Sequence, residues 1–359
     1  MKKYGLLFCL FYIPVHFSAQ AKTAYSDSNR KETPKEFKES VNKLDKLMKS
    51  AYTEGIFNGN VLVSKNNKII YKASLGFSDA GKTNQLTEEY RFHLGSITKE
   101  FSAAALLQLE EQGKLKLSDH VSKFIPELPG WADEVTIKDL LQYTSGIPNV
   151  NWKTIKNDKD IFNDLMLVNK LTFVPGTEYD YNNNNLFLRQ FIIEHLTGMP
   201  YKTYIKKFVF QPLQMNASIM TPIADEKKIA QGFNSQLVPD KEELPITGGT
   251  YTTTVDLLKW ADGLHFQKVV NKNSVYELGQ SFNIADSQSA LGNVKFEEGK
   301  LKEHFHDGRA GSFEATLFSD VENKITIILL SNNYSGKLPE ISEAIYGILK
   351  DKNGSSLQQ

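Results

Sequence analysis

The chain has 359 residues, 40% hydrophobic and 23% charged, enough for one large domain or two of ordinary size around a packed core. Its 42 Lys and Arg are balanced by 42 Asp and Glu, so no global basic field exists to gather nucleic acid or an acidic membrane, and a small-molecule or peptide partner is expected. The single cysteine, Cys9, falls in the N-terminal segment read below as a signal, which leaves the mature chain without cysteine catalysis, disulfides or thiolate metal sites.

Lys2 and Lys3, the apolar stretch Tyr4 to Phe17 and the small-x-small box Ala19-Gln20-Ala21 read as a cleavable secretory signal over residues 1–21. The run is shorter than the roughly 20 residues a bilayer core requires, which makes a membrane anchor the weaker reading. Leu7 and Phe8 ahead of Cys9 do not form a lipoprotein box, since the residue before the cysteine should be small. The expected destination is the periplasm or the exterior, with no stable membrane span after cleavage. Residues 22–33 read as a flexible polar lead-in, 34–350 as the folded domain and 351–359 as a tail.

Thr33-Pro34-Lys35-Glu36 has the form of an N-cap, a first-turn proline and a capping-box glutamate, followed by Phe37, Val41, Leu44, Leu47, Met48 and Ala51 on one helical face. Asn60 to Ser64 and Ile69 to Lys72 then predict two strands around the polar turn Lys65-Asn66-Asn67-Lys68. A helix opening at Ser96 is apolar nearly all round from Phe101 to Leu109, so it should be central and buried, with Gly113 as its stop. From about 115 to 225 the pattern is helical and loop-rich, with helices at Thr136 to Leu141 and Leu186 to Leu196. After Gly248-Gly249-Thr250 come a helix, Thr254 to Leu264, strands at Ala315 to Phe318 and Ile325 to Leu330, and a last helix, Pro339 to Leu349. This order predicts a mixed α/β (α+β) fold: an antiparallel sheet closed by both termini, beside a helical region inserted over about 86–225.

Ser96-Ile97-Thr98-Lys99 pairs a serine with a lysine one helical turn away, and a serine hydroxyl becomes nucleophilic only when a neighbour takes its proton. Ser28-Asn29-Arg30-Lys31 and Ser40-Val41-Asn42-Lys43 share the spacing, so spacing alone does not single it out. Tyr181, in Pro175-Gly176-Thr177-Glu178-Tyr179-Asp180-Tyr181-Asn182-Asn183, reads either as a packing aromatic in a turn or as a proton carrier. A nearby ammonium such as Lys99 would then favour its phenolate. His304-Phe305-His306-Asp307-Gly308-Arg309 reads as the end of a strand with three possible uses. It offers a histidine pair for a metal, a solvent-facing histidine edge, or a backbone site in which Gly308 admits substrate and the Arg309 N–H serves as an oxyanion donor. His93, His120, His195 and His265 lack ligand-like spacing, and no metal site is expected.

Ser96-Ile97-Thr98-Lys99, Tyr181-Asn182-Asn183 and His306-Asp307-Gly308, in that order, resemble the serine β-lactamase and penicillin-recognising superfamily, in particular its class C β-lactamase, DD-peptidase, D-aminopeptidase and esterase-like branch. Arg91 to Gly95, Gly113 to Asp119, Leu140 to Ile147, Gly248 to Thr253 and Ile325 to Asn332 look like framework segments of that family, so the resemblance covers about residues 35–350. It implies a transpeptidase-like fold and an exported serine hydrolase that needs no metal or organic cofactor. Ser96 would be the nucleophile, Lys99 and Tyr181 would share proton transfer, and Asn183, His306, Gly308 and Arg309 would bind substrate. D-amino-acid peptides or esters are the expected substrates, because a histidine opening the third element departs from the Lys-Thr-Gly of class C β-lactamases. A true β-lactamase and a non-catalytic cell-wall peptide or penicillin binder are the alternatives. Oligomeric state is left open.

Overall fold

The computed structural model describes residues 35–350, apart from 224, 225, 242, 243 and 285. In chain order its elements are α1 (Lys38–Thr53), β1 (Gly59–Lys65), β2 (Lys68–Leu75), β3 (Phe92–His93), α2 (Lys99–Glu111), α3 (Ile137–Gln142), α4 (Asp158–Met166), α5 (Asn184–Thr197) and α6 (Tyr201–Ile205). There follow β4 (Ile219–Met220), β5 (Thr250–Thr252), α7 (Thr254–His265), α8 (Lys272–Leu278), β6 (Asn293–Glu297), β7 (Lys300–Ala310), β8 (Phe313–Asp320), β9 (Ile325–Ser331) and α9 (Leu338–Lys350). The expected signal and lead-in, and the expected capping residues Thr33 and Pro34, lie outside the described residues. Among the described residues no helix is long and apolar enough to cross a membrane.

The main sheet has the order β2-β1-β9-β8-β7-β6, and every pairing in it is antiparallel. Its first hairpin turns at Asn66 and Asn67, whose φ of 54° and 60° lie in the left-handed region that asparagine tolerates. One face is covered by the two terminal helices: Leu44, Met48 and Ala51 of α1 and Ile341, Ile345 and Leu349 of α9 share a core with Val61, Val63, Ile327 and Leu329. The alternate residues Leu62, Ile328 and Leu330 turn to the opposite face and join a larger core with α2, α5 and α7. A sheet buried on both faces explains why β9 is apolar at nearly every position rather than alternating.

At the centre of that larger core, α2 buries Lys99 to Leu107 and Leu109. It does not open as an α-helix at Ser96. Gly95–Thr98 form a 3-10 turn that runs into α2 at Lys99, and because residues three apart eclipse one another in a 3-10 turn, Ser96 and Lys99 are brought face to face. A second small sheet, β3-β5-β4, leads into this turn: β3 ends at His93, and the Leu94 N–H bonds the Thr250 carbonyl at 2.9 Å. Its strands are two or three residues long, too short to leave a periodic signature in the sequence.

Candidate active site

Three elements meet at Ser96. The turn Gly95–Thr98 supplies the hydroxyl, and the segment ahead of α5 brings Tyr181, whose O–H donates to Ser96 Oγ at 2.7 Å. Lys99 Nζ donates to the same oxygen at 3.2 Å. Tyr181 is fixed through its neighbours: the Asp180 N–H bonds the Tyr143 carbonyl at 2.9 Å, Asn182 Nδ2 bonds the Ile147 carbonyl at 3.0 Å, and the Tyr143 and Tyr181 rings lie 4.6 Å apart. Tyr143 itself ends α3 at φ 58°. That helix starts with a reciprocal capping box between Thr136 and Asp139, which anchors the platform for Tyr181.

The third element is β7, whose backbone lies against the nucleophile's turn. A Cβ on Gly308 would stand 2.0 Å from the Leu94 carbonyl oxygen and 2.9 Å from the Ser96 nitrogen. One on Gly95, which adopts φ +55°, would stand 2.3 Å from the Arg309 nitrogen. Both glycines are required by this close approach, which places the Arg309 N–H beside the turn that carries Ser96. The Arg309 side chain goes elsewhere: its guanidinium stacks on Tyr334, 3.8 Å from the ring centroid. Asn183, half-buried, lines a cavity of about 280 Å³ with His93, Gly95, Thr98, Phe187 and Gly249.

Lys99 is buried, and desolvation brings its ammonium down to about 8, an effect that Arg189 reinforces and Tyr143 opposes. Arg189, on α5, is fully buried, with no carboxylate paired to it among the described residues. Its Nε donates to the Asn185 carbonyl at 3.2 Å, and its guanidinium lies against Tyr143, the central carbon 5.6 Å from the ring centroid, while among the described residues its two terminal nitrogens reach no acceptor in good hydrogen-bond geometry. Tyr181 does not become a phenolate. Burial pushes it up to about 12 against the lowering influence of Ser96 and Arg189, and Lys99 Nζ stands over the ring, 5.0 Å from its centroid. An ammonium over the ring face makes a cation–π contact in place of an ion pair with the phenol oxygen.

His304 and His306 do not form a solvent-facing edge. His304 is 0% and His306 2% exposed, and both point inward onto Glu100. Glu100 Oε1 accepts from His306 Nδ1 at 2.6 Å and from His304 Nε2 at 3.0 Å, while Oε2 accepts from Trp260 Nε1 at 2.5 Å. His304 Nδ1 in turn lies 3.0 Å from His265 Nε2. The two histidines and the carboxylate place three metal-ligand-type atoms within 4.8 Å of one another, but the carboxylate meets both rings at hydrogen-bond distance and each donor is satisfied by that contact. Burial alone would raise the Glu100 carboxyl; His304 and His306 outweigh it and hold it at about 2. Glu100, Arg189 and His265 were not among the residues expected at the site. The available signal was a charge inside an apolar helical run, Glu100 before Phe101 to Leu109 and Arg189 within Leu186 to Ile193.

A family model described as Beta-lactamase matches residues 42–348. PbpX of Bacillus subtilis (strain 168), whose name assigns it provisionally to the penicillin-binding proteins, is 26% identical over 355 residues, 93% of this chain and 86% of that protein. Protein flp of Staphylococcus aureus (strain N315) is 28% identical over 331 residues, 85% of this chain and 66% of that one. Among solved structures, an octameric penicillin-binding protein homologue from Pyrococcus abyssi superposes with a TM-score of 0.73 at 25% identity, covering 88% of this chain and 77% of its own. A class C β-lactamase superposes with a TM-score of 0.72 at 23% identity, over 89% of this chain and 97% of its own, a likeness of fold alone.

Proposed function

Because the chain belongs to the β-lactamase family, we propose that it is an exported serine hydrolase in which Ser96 forms an acyl-enzyme with a peptide, amide or ester carbonyl, D-amino-acid peptides or esters being the preferred class. The observation that carries this reading is the double contact on Ser96 Oγ, 2.7 Å from the Tyr181 hydroxyl and 3.2 Å from Lys99 Nζ, deep enough for Lys99 to lose its proton near pH 8. Neutral Lys99 accepts the Ser96 proton as the Oγ–carbon bond forms. The Ser96 and Arg309 N–H groups hold the oxyanion, where one donor contributes roughly 3 kcal/mol to the transition state. Tyr181, kept protonated by its high pKa, delivers its proton to the departing amine or alkoxide as the carbon–leaving-group bond breaks; water then attacks the acyl carbon, giving one hydrogen back to Tyr181, while Lys99 returns its proton to Ser96 Oγ as the Oγ–carbon bond breaks. Asn183 and His306 orient the substrate.

The test is to incubate the protein with a fluorophosphonate and with a fluorescent penicillin and to locate any adduct by mass spectrometry. Labelling at Ser96 that disappears in Ser96→Ala supports the hydrolase. No adduct from either reagent on a demonstrably folded protein favours a non-catalytic binder. Turnover of short acyl esters, D-Ala-D-Ala peptides and a chromogenic cephalosporin then selects the substrate class, and rapid cephalosporin hydrolysis would move the reading to a class C-like β-lactamase.

A further inference from the structure

Glu100 follows Lys99 in sequence, is 0% exposed, and takes no part in the chemistry proposed for Ser96. A buried carboxylate is costly unless its oxygens are occupied, and here three N–H groups occupy them. Trp260 Nε1 can only donate, so it fixes Oε2 as an acceptor at 2.5 Å. Oε1 is shared by His306 Nδ1 at 2.6 Å and His304 Nε2 at 3.0 Å. An ionised carboxylate has no hydrogen to give, so each of these ring nitrogens must carry its own. His304 is held at its other nitrogen by His265, a part-buried ring that desolvation keeps neutral by depressing its pKa to about 3.

The consequence falls on His306. In the neutral ring, a hydrogen committed at Nδ1 leaves the lone pair on the second nitrogen, Nε2. Among the described residues Nε2 makes no protein hydrogen bond, and it is not sealed in the interior with the protein's orphaned polar atoms. His306 also shares a strand face with Gly308, the residue pressed against the nucleophile's turn. We propose that Glu100, His304 and His265 form a buried positioning relay that locks His306 in its Nδ1–H tautomer and offers Nε2 to the substrate as a hydrogen-bond acceptor. Donor-bearing substrates, such as a peptide N–H or the ammonium of a D-amino acid, match that acceptor; a substrate carboxylate does not. The relay itself is independent of the hydrolase reading, while the role of Nε2 toward substrate rests on it.

Glu100→Gln tests the relay with little change of shape. A carboxamide has one acceptor oxygen where the carboxylate has two, so it cannot receive all three N–H groups. Its NH2 must face a ring nitrogen, which drives the His306 hydrogen from Nδ1 to Nε2, the same tautomer error that the Asp-to-Asn change produces in a Ser-His-Asp triad. Two-bond ¹⁵N–¹H correlation spectra of the ¹⁵N-histidine protein at pH 8, assigned with His306→Asn, read the tautomer directly. The expected result is hydrogen at Nδ1 in the wild type and at Nε2 in Glu100→Gln, with kcat/KM on an amino-acyl ester reduced roughly ten- to a hundredfold and near-ultraviolet circular dichroism unchanged. Hydrogen at Nε2 in the wild type, alone or together with hydrogen at Nδ1, overturns the proposal, and that spectrum needs no variant to fold. A tautomer that changes while turnover does not overturns the substrate role and leaves the relay. If the wild type turns over no substrate at all, the hydrolase reading fails separately, because the spectrum still decides the relay.

Discussion

The proposed mechanism requires a neutral Lys99, and Arg189 is the residue whose removal tests how that neutrality arises. The fall of Lys99 from 10.5 to about 8 corresponds to about 3 kcal/mol in favour of the uncharged amine. At pH 7 it leaves about one molecule in ten with the base ready, against about one in three thousand at the unperturbed value. Burial contributes most of this and Arg189 reinforces it, because a neighbouring cation disfavours a second positive charge. In Arg189→Met the burial stays and the cation goes, so the Lys99 pKa should rise. The acidic limb of the pH profile for kcat/KM, or for fluorophosphonate labelling of Ser96, should lie near pH 8 in the wild type and at higher pH in the variant. Each full pH of displacement lowers the rate at pH 7 about tenfold. The variant gives up the Arg189 Nε bond to the Asn185 carbonyl at 3.2 Å and the guanidinium's contact with Tyr143, and it removes two buried nitrogens that have no well-aligned acceptor among the described residues, so it should still fold. Replacing buried charged groups with well-packed apolar side chains of similar volume is often neutral or stabilising, because their desolvation is costly. A limb that stays in place or moves to lower pH, in a variant of unchanged melting temperature, would refute the electrostatic role of Arg189.

Tyr181→Phe removes the hydroxyl that bonds Ser96 Oγ at 2.7 Å and should slow turnover roughly 10²- to 10⁴-fold with Ser96 still present; an ester assay showing wild-type kcat would exclude Tyr181 as the proton carrier. Gly308→Ala places a methyl 2.0 Å from the Leu94 carbonyl oxygen, backbone against backbone, so β7 must withdraw from the Ser96 turn. Stability should fall by about 1–3 kcal/mol in urea unfolding, together with a loss of Ser96 labelling; a stable, fully labelled variant would show that the close approach is dispensable. Glu100 is held at about 2 against its ordinary 4.5. A depressed folded-state carboxyl contributes stability that is complete above 4.5 and is lost as pH falls toward 2, about 3 kcal/mol here. Urea midpoints measured from pH 6 to pH 2 should fall less steeply for Glu100→Gln than for the wild type, and equal slopes would count against an ionised Glu100.

The elements legible in the sequence were those with long apolar patterns. The one-sided face of α1, the all-round apolar run of α2, the β1–β2 hairpin around Asn66 and Asn67 and the closing helix α9 stand within a few residues of where their periodicity put them. The sheet β3-β5-β4 was hidden because strands of two or three residues carry no period. At the site, motif order was enough to nominate Ser96, Lys99 and Tyr181, which lie within hydrogen-bonding distance of one oxygen. It could not give the direction of the Tyr181 shift, because that depends on where the Lys99 ammonium sits on the ring and on how dry the site is. The histidines of β7 were legible as a pair on one strand face. Their partner was not, since Glu100 reaches them across more than two hundred positions of sequence.

Lys99 and Glu100 are adjacent, oppositely charged and both buried, yet they do not form an ion pair. Consecutive residues on a helix point about 100° apart, so neighbours in sequence do not face one another. Lys99 turns toward Ser96, Tyr181 and the Arg189 side of the core, while Glu100 turns toward Trp260 and the histidines of β7. Had the carboxylate faced the amine, it would have favoured the ammonium and cancelled the desolvation that prepares Lys99 as a base. The helix therefore separates two electrostatic tasks within one turn. Burial, reinforced by the Arg189 cation, lowers the Lys99 pKa on one side, and an anion with three donors fixes the His306 ring on the other. Exchanging Lys99 and Glu100 would preserve composition and burial while placing each charge in the wrong environment, so the double variant Lys99→Glu/Glu100→Lys should lose both Ser96 labelling and cooperative unfolding. Retention of either would show that the face on which each charge lies does not matter.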